Sequence, residues 1–580
     1  MSVQNVGKSH LIGIAGVLSL IWLAPFCISY HVQPIGFFWQ EWLAVLLLCV
    51  LTIWRLLISG EKLTLYIPKI TLSPALLGLV IVLQFLLHKY IYTDQLSIPL
   101  IYLSLAVLAC CWGQLFAKSD SVNEVGLWIA VACVLGGVFN VGVQFAQLFR
   151  VEDNYSIMSI RLTGEPLFGN IHQTNHLAAY LAMGLAAALY CRMRSQIGSI
   201  VHWMVSSVLV CGLVLTGQRS SLVELCMLLL STLLAWRTLP GRRRMLLQSS
   251  SFLLVLFAAL YFLLMPLMVD GEAHLYQPLN TLETDLRWDL WRQAWMMFNA
   301  HPWLGVGFSQ FWAAGLEQLD VLPGNTIFSH PHNLLVALFA ETGCIGALLT
   351  LIPIMAWGLR TRLTPHSDIE WLGWTQLWII GVHSMIEFPL WYTYWLIIAC
   401  FWLGFLDKSS LRVTFRNPRL IAAFLVLMMA IPLMNSGFAF QKLVSLAYMP
   451  TPNGEDEITF KEYRAGSIVN LSNHWLLQRE ASYRIAVSLM DASPDHIDDK
   501  ISFNEKVIKT IPAPMVVSNQ VILLVLKGNI DDAVHLLARS RKFFPAQYPG
   551  IIYRVLSSAK KNPMQFTPDI TQRLKSVSSN

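Results

Sequence analysis

Apolar stretches long enough to cross a bilayer, roughly 17–25 residues each, recur along the chain near residues 11–30, 38–58, 71–92, 97–117, 125–149, 176–192, 199–216, 220–237, 250–269, 333–359, 370–386, 389–406 and 418–436. They predict about thirteen transmembrane helices, the runs at 370–386 and 389–406 meeting at the short break Glu387-Phe388-Pro389. The first run follows Lys8 and is not followed by an A-x-A cleavage site, so it is expected to be retained. The pattern changes in two places. Residues 270–332 form a connector of some sixty residues, far beyond an ordinary turn, and such loops are usually functional. After residue 437 the chain takes on a soluble composition; 475–490 and 521–540 are periodic enough to predict amphipathic helices. Leu526-Lys527-Gly528-Asn529-Ile530-Asp531-Asp532-Ala533 is similar to the turn and second helix of one helical-repeat unit, although stacked repeats need about three or more.

Composition supports the membrane reading. Of 580 residues, 55% are apolar and only 13% charged, against about 25% charged in a soluble domain, and mean hydropathy is +0.55. Disorder, a collagen-like chain and a soluble enzyme are excluded. The ten cysteines, Cys27, Cys49, Cys110, Cys111, Cys133, Cys191, Cys211, Cys226, Cys344 and Cys400, all lie in or beside apolar runs and lack zinc spacing. They read as small buried hydrophobes rather than a disulfide framework. With a cytoplasmic N-terminus, 17 Lys and Arg fall in one set of loops and 6 in the other, which orients the chain by the positive-inside rule. An odd number of helices then places 437–580 outside.

On the outward side, Arg287-Trp288-Asp289-Leu290-Trp291-Arg292-Gln293-Ala294-Trp295 puts Trp288, Trp291 and Trp295 on one helical face, as expected of a helix at the membrane interface. A plain anchor is the alternative for these tryptophans. Arg287 differs, because a guanidinium at headgroup level suits phosphate oxygens. Ser329-His330-Pro331-His332-Asn333 sits at the mouth of an apolar helix that contains Glu341. A histidine there can move a proton near neutral pH; a solvated helix-start histidine is the plainer alternative. Arg219 lies in a very short turn, with Glu224 one turn into the membrane, and the two could simply neutralise each other. His383, Glu387, Tyr392 and Tyr394 gather by the 387–389 break. The topology brings Arg219, Arg287, His332, Gln173 and Glu387 to one membrane face. That favours an enzyme acting on a lipid-linked anion over a transporter, whose charges would lie near the midplane.

These residues also carry a family resemblance. His332-Asn333 followed after nine residues by Gly343-Cys344-Ile345-Gly346 resembles the H-[NSQ]-x9-G-x-x-G pattern of the O-antigen ligase/polymerase (Wzy_C) superfamily, as do the Arg219 turn, Arg287 with its Trp-rich helix, and Pro302, Gly305, Gly307 and Phe311. Gly169-Asn170-Ile171-His172-Gln173-Thr174-Asn175-His176-Leu177-Ala178-Ala179-Tyr180 is similar to the signature of bacterial protein O-oligosaccharyltransferases of the PglL type, and Glu387-Phe388-Pro389-Leu390-Trp391-Tyr392 resembles the same subgroup. The resemblance spans roughly 160–440; the first 150 residues match only in hydropathy.

The resemblance implies a GT-C-like, all-α polytopic membrane protein in three parts: N-terminal helices (1–150), a catalytic core (151–436) with periplasmic loop 270–332, and a periplasmic α-helical, repeat-like domain (437–580). It implies en bloc transfer of a preassembled glycan from undecaprenyl pyrophosphate to Ser or Thr of a pilin-like or other periplasmic protein, at the bacterial inner membrane, with inversion. No metal, cofactor or nucleic acid is expected. His332 would activate the acceptor and Arg219 and Arg287 would neutralise the leaving pyrophosphate. Gln173, Asn170, Asn175, Asn333, Glu387 and either Tyr392 or Tyr394 would bind donor or acceptor. An O-antigen ligase delivering the glycan to lipid A–core, or a polymerase, is the alternative. The net charge of +6 divides into +11 in the cytoplasmic loops, −9 in the outward and intramembrane remainder and +4 in the tail. A pyrophosphate site on that face must therefore rest on a few placed arginines.

Overall fold

A computed structural model describes residues 8–59, 62–87, 90–269, 281–318, 328–448 and 456–579. It is almost wholly helical, as apolar blocks in a bilayer require, because a helix satisfies its backbone N–H and C=O groups within its own segment. The main helices are α1 (Phe38–Leu57), α2 (Leu72–Leu86), α3 (Asp94–Ala117), α4 (Val122–Phe149), α5 (Thr174–Met193), α6 (Ser199–Leu215), α7 (Ser220–Thr238), α8 (Arg243–Val269), α9 (Thr281–Ala300), α10 (Leu334–Thr361), α11 (Asp368–His383), α12 (Thr393–Leu406) and α13 (Ile431–Tyr448). Among the described residues, nine helical segments are long and apolar enough to cross a membrane. The chain is a multi-pass membrane protein of the all-α class.

Nine is fewer than the thirteen runs expected. The run at 11–30 is broken into Lys8–Ser19, Leu20–Trp22 and Ala24–Cys27, while α6, α11 and α12 have 17, 16 and 14 residues. α11 and α12 are kept apart by the 387–389 break, where Pro389 offers no N–H to continue a helix. The last run continues past 436 to Tyr448. Two strands depart from the all-helical expectation: β1 (Lys62–Pro68) and β2 (Ser410–Arg416) pair antiparallel, with Lys62 opposite Arg416 and Tyr66 opposite Arg412. Both segments alternate polar and apolar residues. Leu63, Leu65 and Ile67 therefore share a face with Phe415, Val413 and Leu411, and Leu63 packs on Leu56 and Ala422.

The chain divides into two compact units, one built from Met1–Leu77, Ile101–Asn280 and Leu349–Asn435, the other from Gly78–Leu100, Thr281–Leu348 and Ser436–Asn580. In the first, α5 is buried along nearly its whole length against α4, α6, α7 and α11. Its Ala- and Gly-rich sequence suits that place, since small side chains let helix backbones approach closely. Outward, α8 leaves Val255, Phe262 and Leu263 about 70% exposed, an apolar surface that lipid can cover. α3 and α12 cross with their backbones nearly touching. A Cβ on Gly113 would stand 1.9 Å from the Phe401 carbonyl oxygen, and one on Gly404 would stand 2.0 Å from that of Cys110.

In the second unit, α9 buries Leu290, Ala294 and Met297 against Phe311, Ala314 and Ala340. The C-terminal helices Ile497–Thr510, Pro514–Lys527, Ile530–Phe543, Tyr548–Lys561 and Pro568–Ser579 enclose a core that includes Val521, Leu523, Leu537, Ile551, Val555 and Leu574. The 521–540 stretch is two helices, turned at Gly528 (φ 91°) within the segment similar to a repeat-unit turn, where the Asn529 N–H donates to the Leu524 carbonyl at 2.9 Å. Asp94 at the start of α3 pairs with Arg479 at 3.2 Å.

Gly404→Val is expected to lower the thermal midpoint of the protein in detergent by several degrees, because overpacking costs about 1–3 kcal/mol. Gly241→Val, whose Cβ would meet nothing within 4 Å, leaves the midpoint in place.

Candidate functional site

The PglL-like segment is held from beneath by an amide ladder on α4. Asn140, Gln144 and Gln147, spaced at i, i+4 and i+7, lie on one helical face and are fully buried. Asn140 Oδ1 accepts from the Asn170 N–H at 2.9 Å, and Gln147 Oε1 from the Gly169 N–H at 3.0 Å. Gln147 Nε2 donates to the Ser159 and Gly169 carbonyls, and Gln144 Nε2 to those of Leu167 and Gly212. Asn170 belongs to the same brace: its Nδ2 donates to the Cys27 and Ile157 carbonyls at 2.7 and 2.8 Å, and its Oδ1 accepts from the Ser159 N–H. His31 Nε2 lies 2.8 Å from the Asn170 carbonyl, and its ring stacks on His172 at 4.6 Å. Burial lowers the His31 pKa to about 4, so it is neutral at pH 7.

With the loop fixed, Gln173 enters α5 in an extended conformation (φ −151°, ψ 119°). It meets Glu387 from the α11–α12 break, its Nε2 3.4 Å from one carboxylate oxygen, while Asn175 Nδ2 donates to the other at 2.8 Å. Asn175 Oδ1 accepts in turn from the Ser220 hydroxyl at 2.9 Å. Ser220 opens α7 directly after Arg219, which is exposed. Gln173, Asn175 and Glu387 thus form one cluster tied to the Arg219 turn.

Glu224 pairs with His383 rather than Arg219. Its Oε1 lies 3.1 Å from His383 Nδ1, and both side chains are fully buried. The ring of His176 stands 5.1 Å from that of His383 and 5.2 Å from that of Tyr392. The two tyrosines separate cleanly. Tyr392 is half-buried beside His176, Phe37 and Phe388, whereas Tyr394 is 2% exposed and packs edge-on to Phe26.

His332, Asn333 and Arg287 belong to the second unit. His332 takes a left-handed conformation (φ 51°), half-buried, with the His330 ring at 4.3 Å. Asn333 caps α10, its Oδ1 accepting from the Val336 N–H at 3.1 Å. Trp291 Nε1 donates to the Pro331 carbonyl at 3.1 Å, pinning the His-Pro-His turn to α9. Arg287 lies one turn earlier on that face of α9. Trp288 and Trp295 are about 60% exposed, while Trp291 between them is half-buried.

The glycines of the H-N-x9-G-x-x-G and P-x-x-G-x-G motifs lock the two segments together. Gly343 breaks α10 (φ 63°, ψ −169°), and the backbone freed there pairs with the 302–307 turn. The Val306 and Gly307 N–H groups donate to the Ala340 and Glu341 carbonyls, both at 3.0 Å. Those of Cys344 and Ile345 donate to Pro302 and Trp303 at 2.8 and 3.1 Å. A Cβ on Gly343 would meet the Trp303 carbonyl carbon at 2.4 Å, and one on Gly305 that of Glu341 at 2.3 Å. Gln84 bridges the pair by donating to the Leu304 and Glu341 carbonyls. The Glu341 carboxylate accepts from the Ser309 N–H at 2.9 Å. Among the described residues, no group of three or more His, Cys, Asp or Glu side chains could hold a metal ion.

Three family models match the chain: "Protein glycosylation ligase" over residues 167–190, "O-Antigen ligase" over 204–351, and "Virulence factor membrane-bound polymerase, C-terminal" over 371–552. The resemblance to the O-antigen ligase superfamily therefore holds. The first segment carries Gln173 and Asn175, the second Arg219, Arg287 and His332, and the third Glu387 and Tyr392. Among curated proteins the chain is 26% identical over 270 residues to a general O-oligosaccharyltransferase of Acinetobacter baylyi (43% of this chain, 45% of the relative). It is 22% identical to a ComP-specific O-oligosaccharyltransferase of the same organism (46% and 48%) and 25% identical to an O-antigen ligase of Pseudomonas aeruginosa (45% and 58%). The chain spans about half the length of the curated relatives it matches. No solved structure matches it.

Sequence reasoning missed the Asn140–Gln144–Gln147 ladder and Gln84. Three amides at helical spacing inside an apolar run were the available signal.

Gly305→Ala and Gly343→Ala are each expected to destabilise the second unit by about 1–3 kcal/mol through backbone strain. Hydrogen exchange over residues 302–309 and 340–346 should rise in both variants, with exchange in α5 unchanged.

Proposed function

We propose that the chain is a protein O-oligosaccharyltransferase. It moves a glycan en bloc from undecaprenyl pyrophosphate to a serine or threonine hydroxyl of a pilin-like or other periplasmic protein. The observation that carries this reading is the Gln173–Asn175–Glu387 cluster. It is built on the segment that matches the protein glycosylation ligase model and is joined through Ser220 to the Arg219 turn. The names of the two Acinetobacter relatives point the same way.

In this mechanism the acceptor oxygen attacks the anomeric carbon opposite the pyrophosphate, so configuration inverts. The new C–O bond forms as the bond to the phosphate oxygen breaks. His332 takes the hydroxyl proton, and its location at the start of α10, in a turn pinned by Trp291, suits a base that must face a substrate. Arg219 and Arg287 neutralise the charge left on the pyrophosphate. Tyr392, beside His176, is the tyrosine assigned to the site, and Tyr394 belongs to the core. Glu387, oriented by two amides, positions donor or acceptor. Asn170 and Asn333 act by holding the loop and the helix start that present these groups. The site lies on the periplasmic side, a reading that the distribution of Lys and Arg supports.

The O-antigen ligase reading shares the donor chemistry and draws on the match over 204–351 and the Pseudomonas relative. Expression with a lipid-linked glycan and a candidate pilin separates the two. A glycan mass on Ser or Thr supports protein transfer, whereas loss of surface O-antigen on deletion of the gene supports the ligase. His332→Ala should abolish transfer while the protein remains in the membrane. Arg287→Lys should lose at least about tenfold, because an ammonium cannot replace a bidentate fork. Near-wild-type glycosylation by His332→Ala would remove the base assignment.

A further inference from the structure

The proposed mechanism leaves one group of ionisable side chains unused. Glu224, His383 and His176 are fully buried in helices of the first unit. An ionisable residue in such a place is costly unless it has a partner and a purpose. Glu224 and His383 are each other's partners at 3.1 Å, and the elements they join are informative. Glu224 lies one turn along α7 from Ser220, whose hydroxyl donates to Asn175. His383 ends α11, and its carbonyl accepts the Glu387 N–H at 2.8 Å. The pair therefore connects the helix that begins at the Arg219 turn to the backbone that carries Glu387. The upper link, Ser220–Asn175–Glu387, makes the same connection through hydrogen bonds. Between the links stands His176, whose ring is enclosed by those of His383, Phe388, Tyr392 and Trp395 at 5.1–6.2 Å.

Two links separated by one helical turn fix an angle as well as a distance. The upper link fixes the 384–392 segment at Asn175, and the lower one adds a second fixed point at the end of α11. We propose that Glu224 and His383 are positioning residues that hold the Gln173–Asn175–Glu387 cluster and Tyr392 in a fixed relation to the Arg219 turn. The inference rests on the transferase reading for its consequence, namely that a cluster free to pivot loses rate through misplacement. The tether itself does not depend on that reading.

The test is a paired apolar swap. Glu224→Leu/His383→Phe removes both partners, so no orphaned charge remains buried, and such replacements are generally tolerated by the fold. The double variant should accumulate in the membrane yet transfer glycan at least about tenfold more slowly. Its loss should be smaller in a Glu387→Ala background, because part of it acts through that side chain. Glu224→Gln, which keeps the size and polar contact of the side chain beside His383 while removing its charge, should recover most of the rate. Wild-type turnover in the double variant, losses that multiply with Glu387→Ala, or a Gln variant as damaged as the swap would each overturn the proposal; the last would indicate a proton-carrying role. If the wild-type chain transfers no glycan, the functional reading fails by itself, and hydrogen exchange decides the tether. The swap must then raise exchange over residues 217–221 and 384–392 in detergent, and unchanged exchange there would overturn the proposal.

Discussion

A helix inside hydrocarbon can be interrupted only where other protein groups take up the backbone it releases. That constraint explains most of what is unusual in this chain. α10 breaks at Gly343, and the 302–307 turn and Gln84 occupy the freed groups. The loop that leads into α5 is held by the side chains of Asn140, Gln144 and Gln147. The gap between α11 and α12 is held by Glu387, whose N–H goes to His383 and whose carboxylate meets Gln173 and Asn175. The candidate residues occur at such places: Gln173 at a helix entry, Arg219 at a turn, Glu387 at a break and His332 before a cap. Chemistry and backbone accounting share these sites because polar side chains there can serve both the released backbone and a substrate.

The charge distribution fits the same picture. A diffuse basic surface would attract any anion, whereas on the orientation read from the sequence the outward and intramembrane residues up to 436 sum to −9. Selectivity on such a face depends on where single guanidinium groups are fixed. Arg219 is placed by a turn whose next residue is hydrogen-bonded into the Gln173–Asn175–Glu387 cluster. Arg287 is placed by α9, which is anchored by the buried Leu290, Ala294 and Met297.

Much of this was legible in the sequence, for reasons that can be traced. Long apolar runs gave the helices because hydrocarbon thickness sets a minimum length, and α1 to α5 fall close to where those runs lie. The run at 11–30 failed as one helix because hydropathy does not register the breaks at Leu23 and after Cys27. The β1–β2 ribbon was missed although both segments alternate, since each is short and its partner lies across the length of the core. Glu224 was matched to Arg219 by sequence proximity, whereas helix packing supplied His383. Asn170 and Asn333 were legible as important but not as structural, because an amide that braces a loop and one that binds a ligand look the same in a sequence. Tyr392 and Tyr394, two residues apart, were separated only by three-dimensional burial.

The central claim is that a lipid-linked glycan leaves its pyrophosphate carrier as it joins a protein hydroxyl. The direct measurement uses the purified chain in micelles with a lipid-pyrophosphate-linked glycan and a pilin-type acceptor. Glycan mass on the acceptor and released undecaprenyl pyrophosphate are followed together, without nucleotide sugar and with chelator present. The account predicts equal amounts of both products, each depending on the other substrate. Carrier release without glycan on any Ser or Thr, or transfer that requires a nucleotide sugar, would contradict it.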